Sequence, residues 1–303
     1  MKRHSATMLL LAATAALLLA PATARASDPG QAREAAPVYY VSLGDSLATG
    51  YQPLSPRCAR PSAIASCETH PGYVDLLHDI ARAEIPNLKT KSFGCGGETT
   101  TTMVAGGGRC RYAHGSQLAE AVHFIESAPQ LGEPPRIAFV TIDIGGNDGF
   151  EFGCYDDFDL ACLTGELDDT LAANLATILT RLRQAAGPRV PIVGMNYYDP
   201  FLGLWVRGLH ELATRSVKWT VAFNDALETA YQKAGSPVAD VETAFAVTAF
   251  EPIVDDATHG PLPLNVHKTC TWTWSCLTSF FDVHPNDEGN AVIARAFADV
   301  LLK

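Results

Sequence analysis

The sequence predicts an α/β protein, a parallel sheet between two layers of helices in a three-layer α/β/α arrangement. Three observations lead there. Short runs at 37–43, 87–93, 136–144, 190–195 and 237–241 read as strands, those at 37–43 and 136–144 predominantly apolar, as strands buried on both faces are. Amphipathic stretches with apolar residues three and four apart separate those runs. Three of the runs end directly on small turns: Gly44-Asp45-Ser46, Gly94 to Gly97, and Gly145-Gly146-Asn147. In an open parallel sheet the ligand site lies beyond the carboxyl ends of the strands.

The first strand, 37–43, is followed by a Pro- and Cys-rich loop over 52–71. A helix is expected over 72–84, with Tyr73, Leu76, Leu77 and Ile80 on its inner face. The second strand, 87–93, runs into the glycine cluster. Residues 116–127 read as a helix capped by Ser116, with Leu118, Val122 and Ile125 inward. The third strand, 136–144, is strongly apolar. An acidic insertion with two cysteines fills 149–164. The clearest helix is 167–183, where Leu167, Leu171, Leu175, Ile178, Leu179 and Leu182 form a stripe that Gly187-Pro188 ends. A fourth strand (190–195), a helix over 205–234 broken in its middle, and a fifth strand (237–241) follow. Residues 250–289 read as irregular, and a final amphipathic helix spans 290–302.

Residues 1–26 have the pattern of a secretion signal: Lys2 and Arg3, an apolar run over 8–19, and Ala24-Arg25-Ala26 for cleavage after Ala24 or Ala26. Residues 27–303 are then expected to form one domain, exported and monomeric. No later segment approaches the ~20 apolar residues of a membrane span. The formal net charge of −11 argues against nucleic acid as a partner and offers no attraction to anionic lipid. Eight cysteines follow the leader, which in an exported chain suggests four disulfides. Close neighbours suggest Cys58–Cys67, Cys154–Cys162 and Cys270–Cys276, leaving Cys95–Cys110. No Cys-x-x-Cys occurs, and the nine histidines show neither His-x-x-x-His nor His-Glu-x-x-His, so no metal site is expected.

Ser46 follows a strand and could be a nucleophile, but a serine hydroxyl needs a base to take its proton. His284, in Asp282-Val283-His284-Pro285-Asn286, precedes the last helix and can reach the same sheet edge. An oxyanion needs donors already in place. Gly97, Asn147 and the Ser46 N–H are the candidates. Asp45 and Asp148 are read as structural, accepting from loop N–H groups. The absence of Gly-x-Ser-x-Gly argues against the α/β-hydrolase type of esterase.

These stretches resemble the four blocks of the SGNH (GDSL-type) hydrolases. They are Gly-Asp-Ser-Leu at 44–47, the glycine of Cys95-Gly96-Gly97-Glu98-Thr99, Gly-Gly-Asn-Asp at 145–148, and His-Pro-Asn at 284–286. The blocks occur in order over essentially the whole mature chain, and secreted actinobacterial lipases and esterases are the most similar members. The resemblance implies a flavodoxin-like sheet of order 2-1-3-4-5. It implies Ser46 as nucleophile, His284 as base, Ser46 N–H, Gly97 N–H and Asn147 as oxyanion donors, and no metal or organic cofactor.

One position departs from the pattern. The family's aspartate, three residues before the histidine, is Phe281 here, and Asp282 stands one place late. Either the Phe281 backbone carbonyl or the Asp282 side chain could orient His284. The carbonyl is favoured, because successive side chains of an extended segment point apart and Asp282 is expected to face away. Tyr197, Tyr198, Phe201, Leu202, Leu204, Trp272, Trp274, Phe280 and Phe281 are candidates for an acyl-chain groove. The expected activity is hydrolysis of carboxylic esters, with lipid or fatty-acyl esters first. A polysaccharide O-acetyl esterase and an acyltransferase are the alternatives.

Overall fold

The computed structural model describes residues 37–53, 71–127, 136–277 and 281–302. The proposed leader, the Cys58–Cys67 pair and Phe280 lie outside the described residues. Strand β1 is Val38–Gly44, and helix α1, Tyr73–Ala81, leads to β2, Leu88–Ser92. Helices α2, Thr100–Ala105, and α3, Gln117–Glu126, precede β3, Arg136–Asp143. A short helix α4, Gly146–Glu151, opens the insertion, and α5, Asp168–Ala186, leads to β4, Ile192–Met195. A 3₁₀ helix over Pro200–Arg207 and the long α6, His210–Lys233, precede β5, Val238–Ala239. Then come α7, Val241–Phe245, a hairpin of β6, Ile253–Asp256, and β7, Gly260–Pro263, then α8, Leu264–Trp272, and α9, Asp287–Leu301.

Strands β1 to β5 form one parallel sheet of order β2-β1-β3-β4-β5, as expected. Alternate residues of each strand supply two cores. Val41, Val140 and Ile192 pack with Leu118 of α3, Leu175 and Leu179 of α5, and Trp219 and Phe223 of α6. Tyr40, Phe139 and Val193 pack on the other face with Tyr73 and Leu77 of α1 and Ile293 and Phe297 of α9. Both faces are covered, which is why the central strands β1, β3 and β4 end in fully buried runs, while the edge strand β2 keeps exposed Lys89 and Lys91.

Several elements differ from the sequence reading. The inner face of α1 is Tyr73, Val74, Leu77 and Ala81, and Ile80 is exposed. The long helix does not break in its middle. Gly208, left-handed at φ +78°, separates the 3₁₀ segment from α6, which then runs 24 residues without interruption. The stretch 250–289 contains a hairpin and α8, which lack a strong period because Asn265 and Thr269 are buried among its apolar residues. The last helix starts earlier, at Asp287, because Asn286 Oδ1 caps it by accepting from the Gly289 N–H at 3.0 Å. Helix α2 was missed. It is capped by Thr99, whose Oγ1 accepts from the Thr102 N–H. The expected Ser116 cap is present, with the Ala119 N–H at 3.1 Å.

Cysteines pair as Cys95–Cys110, Cys154–Cys162 and Cys270–Cys276. Among the described residues no helix is long and apolar enough to cross a membrane.

Candidate active site

The carboxyl ends of β1 and β3 lie side by side, with Gly44 opposite Asp143. The turn after β1 is held from both sides. The Gln117 amide accepts from the Gly44 N–H at 2.7 Å and donates to its carbonyl at 3.0 Å. Asp143 Oδ2 accepts from the Asp45 N–H at 3.1 Å. A side chain at Gly44 would overlap the Asp143 carboxyl, so glycine is needed for the two strand ends to meet. Asp45 Oδ1 then accepts from the Leu47 N–H at 2.9 Å, and Ser46 is left at the crest.

His284 Nε2 lies 2.8 Å from Ser46 Oγ. The segment carrying His284 is tied to the end of α8. The Trp274 N–H donates to the His284 carbonyl at 3.0 Å, and the Asn286 N–H to the Trp272 carbonyl at 3.0 Å. Tyr198 Oη donates to the Val283 carbonyl at 2.7 Å, and the Tyr51 ring lies 4.4 Å from the imidazole, centre to centre. Asp282 Oδ1 contacts His284 Nδ1 at 2.8 Å and also accepts from the His284 backbone N–H at 2.9 Å. The favoured Phe281 carbonyl is therefore corrected to the Asp282 side chain. Residues 282 and 284 are two apart, which puts their side chains on the same side of an extended segment, and the Asx-type bond to the backbone fixes the carboxylate there. Phe281 instead stacks its ring 5.8 Å from that of Phe201. Nδ1 thus faces the Asp282 carboxyl group and Nε2 faces the Ser46 hydroxyl, so the ring bridges the two.

The Ser46 and Gly97 N–H groups donate no hydrogen bond among the described residues. Gly97 has φ +81°, a backbone that favours glycine. The Asn147 amide donates to the Glu98 carbonyl at 2.9 Å and to Asp45 Oδ2 at 3.2 Å. Two acceptors on the nitrogen settle which way the amide faces. Asp148, buried, accepts from the Thr100 N–H at 2.9 Å and so joins α2 to the start of α4. Asp45 and Asp148 thus accept from loop N–H groups, as expected.

Burial dominates the electrostatics. It raises both Asp45 and Asp143, which are joined through the Asp45 backbone N–H. Burial, with the nearby Asp45 charge acting in the same direction, lifts Glu98 to about 7, and burial lifts Asp148 to about 6. One Glu98 oxygen, Oε2, has no hydrogen-bond partner among the described residues.

A cavity of about 330 Å³ opens beside Ser46, His284, Gly97 and Asn147. Tyr197, Tyr198 and Phe201 line it, as the groove expectation had it. Leu202, Leu204, Trp272, Trp274 and Phe281 do not. Phe150 and Tyr155 of the insertion and Trp219, Thr220 and Phe223 of α6 complete the wall and were not singled out from sequence. On an amphipathic helix the residues of a cavity wall have the same period as core. Arg109, also on the wall, is the one Lys or Arg there among the described residues.

Residues 42–292 match the GDSL-like Lipase/Acylhydrolase family. No curated protein matches the chain. Among solved structures it is similar to an alpha/beta hydrolase enzyme from the metagenome of Lake Arreo, Spain, at 18% identity, covering 88% of this chain and 96% of that one, with TM-score 0.51. It is similar to the acetyl xylan esterase of Geobacillus stearothermophilus at 18% identity, 87% and 93% coverage and TM-score 0.51. A Parabacteroides merdae protein described as a GDSL-like lipase aligns at 14% identity, 88% and 96% coverage and TM-score 0.53. At these identities the similarities show the shared fold, while the match over 42–292 runs from within β1 to within α9 and includes every block that meets at this edge. The chain therefore belongs to the GDSL-like lipase/acylhydrolase family and is a carboxylic ester hydrolase.

Proposed function

We propose that the protein is an exported esterase that cleaves esters with apolar acyl chains through an acyl-enzyme on Ser46. The observation that carries this reading is the Asp282–His284–Ser46 line of contacts, 2.8 Å at each step, at the mouth of an aromatic cavity. His284 Nε2 takes the Ser46 proton as Oγ attacks the ester carbonyl carbon. The oxyanion is met by the Ser46 and Gly97 N–H groups and by the Asn147 amide, which exchanges its longer bond, 3.2 Å to Asp45 Oδ2, for it. The imidazolium returns its proton to the leaving alcohol, and water repeats the sequence on the acyl-enzyme. Asp282 keeps the imidazole oriented and balances its charge. Export is supported by the leader pattern and the disulfides.

The test is hydrolysis of 4-nitrophenyl esters of graded acyl length by the oxidised protein, beside Ser46→Ala. Activity should peak at medium or long acyl chains and fall on the order of 10⁴-fold or more in the variant. Turnover confined to acetate would indicate an O-acetyl esterase. Loss of turnover on every ester, with transfer to an added alcohol, would indicate an acyltransferase.

A further inference from the structure

One basic side chain on the cavity wall has no part in the chemistry above. Arg109 lines the cavity together with Ser46, Tyr51, Gly97 and His284. The Cys95–Cys110 bond closes a ring to which both Gly97 and Arg109 belong. A Cβ at Gly97 would stand 3.5 Å from Arg109 Cδ, so the arginine stem runs along the backbone that carries the Gly97 N–H. Among the described residues its one hydrogen bond runs from Nη1 to the Gly96 carbonyl at 3.4 Å, longer than the usual range, and no carboxylate pairs with it. A guanidinium holds five N–H donors in a planar fork. In a chain with 33 acidic and 22 basic residues, an exposed arginine that has no acid beside it leaves that fork to a ligand.

The proton transfer tells which part of an ester Arg109 meets. The leaving alcohol takes its proton from His284, so it sits on the imidazole side of Ser46. Tyr51 packs on that imidazole, 4.4 Å from centre to centre. Burial and the Asp282 charge raise the Tyr51 hydroxyl and Arg109 acts against them, which puts the guanidinium within electrostatic reach of the same ring. The rings of Phe150, Tyr155, Trp219 and Phe223 make an uncharged stretch of wall that suits the acyl chain. We propose that Arg109 is a specificity-determining residue that binds an anionic group, a carboxylate or a phosphate, on the alcohol moiety of the ester. This rests on the Ser46 acyl-enzyme reading. The guanidinium fork meets either group with two parallel N–H···O bonds, which a neutral alcohol does not offer.

The experiment uses three octanoyl esters on one phenyl frame, with 4-hydroxybenzoate, 4-hydroxyphenyl phosphate and the neutral 4-hydroxybenzamide as leaving alcohols. It records kcat and KM for the wild type, Arg109→Met, Arg109→Lys and Arg109→Glu, with unfolding midpoints to confirm folding. Comparing ratios between variants cancels the different leaving abilities of the three phenols. Arg109→Met should lower kcat/KM for an anionic ester, relative to the benzamide ester, about tenfold and mainly through KM. Arg109→Lys should keep part of the preference, Arg109→Glu should turn it against the anionic esters, and added salt should narrow the wild-type ratio. A loss confined to the benzoate ester assigns a carboxylate, and one confined to the phosphate ester assigns a phosphate. The proposal is overturned if folded Arg109→Met and Arg109→Glu keep the wild-type ratios, or if they slow all three esters equally, as a brace of the Gly97 turn would. Ser46→Ala separates the two readings. Undiminished turnover of the benzamide ester in that variant overturns the acyl-enzyme and this proposal with it, whereas its loss there with unchanged Arg109 ratios overturns this proposal alone.

Discussion

Asp282 and His284 show how a one-residue shift in a motif can leave the contact intact. A histidine held by a carboxylate loses much of its basicity and orientation when that carboxylate becomes an amide. Asp282→Asn should therefore lower kcat on the order of 10²- to 10⁴-fold with the fold intact, measured on a 4-nitrophenyl ester. A near-normal rate in this variant would restore the Phe281 carbonyl as the orienting group. The misreading came from counting neighbours: Asp282 is adjacent to Val283, but the ring belongs to the next residue on the same side. Glu98 gives a second prediction. Its folded pKa of about 7 lies above the ~4.3 of an unfolded glutamate. The folded state therefore holds the proton through that interval and the unfolded state does not, so this group's contribution to stability falls as pH rises from about 4.3 to 7. Glu98→Gln abolishes that loss. Its unfolding midpoint, relative to wild type, should be higher at pH 8 than at pH 5, whatever the fixed cost of the amide; an equal gap at both would show that Glu98 does not titrate in this interval.

Among the elements, the strands and the helices with one clear apolar stripe were legible, because burial against a sheet imposes a period. The hairpin and α8 were not. Their buried residues include Asn265, which donates to the Val247 carbonyl at 2.9 Å, and Thr269, so polar satisfaction rather than hydrophobic period holds them. Yet α8 is what places His284, since residues 272–274 form the backbone rail on which 284–286 lie. The Cys270–Cys276 bond closes the turn next to that rail. Replacing both cysteines by serine should lower kcat at least tenfold and the unfolding midpoint by only a few degrees, since a short ring contributes about 3 kcal/mol or less. Parallel loss of both, in stopped-flow and melting measurements, would make the bond a general brace instead. The wall of the acyl cavity was equally hidden. Trp219→Ala should shift the preferred acyl chain toward greater length in the graded ester series, because it removes the bulkiest side chain of that wall. An unchanged optimum would place chain discrimination elsewhere.

At the scale of the whole molecule, the four sequence blocks come from residues 44 to 286, and only the strand order of the sheet brings them together. That much followed from strand ends and glycine turns. The cavity did not, because it is made by side chains from helices whose distance from Ser46 no local pattern encodes. The net charge of −11 acts on the molecule as a body. Hydrolysis of an ester dispersed in anionic vesicles should be slower than in zwitterionic vesicles, and added salt should narrow the gap by screening. Equal rates at low salt would mean that a local patch governs the approach. The three disulfides among the described residues have a temporal consequence. Their cysteines are 15, 8 and 6 residues apart, so each ring lies within a stretch far shorter than any pair of neighbours in the five-stranded sheet spans. Each can close while the chain is still emerging, before β1 has met β3, and none requires a partner from across the fold. Oxidation during emergence would set the loops around Gly97, Phe150 and His284 first and let the sheet assemble around parts already shaped, so a chain made in a reducing compartment would be an intact scaffold waiting for its catalytic loops.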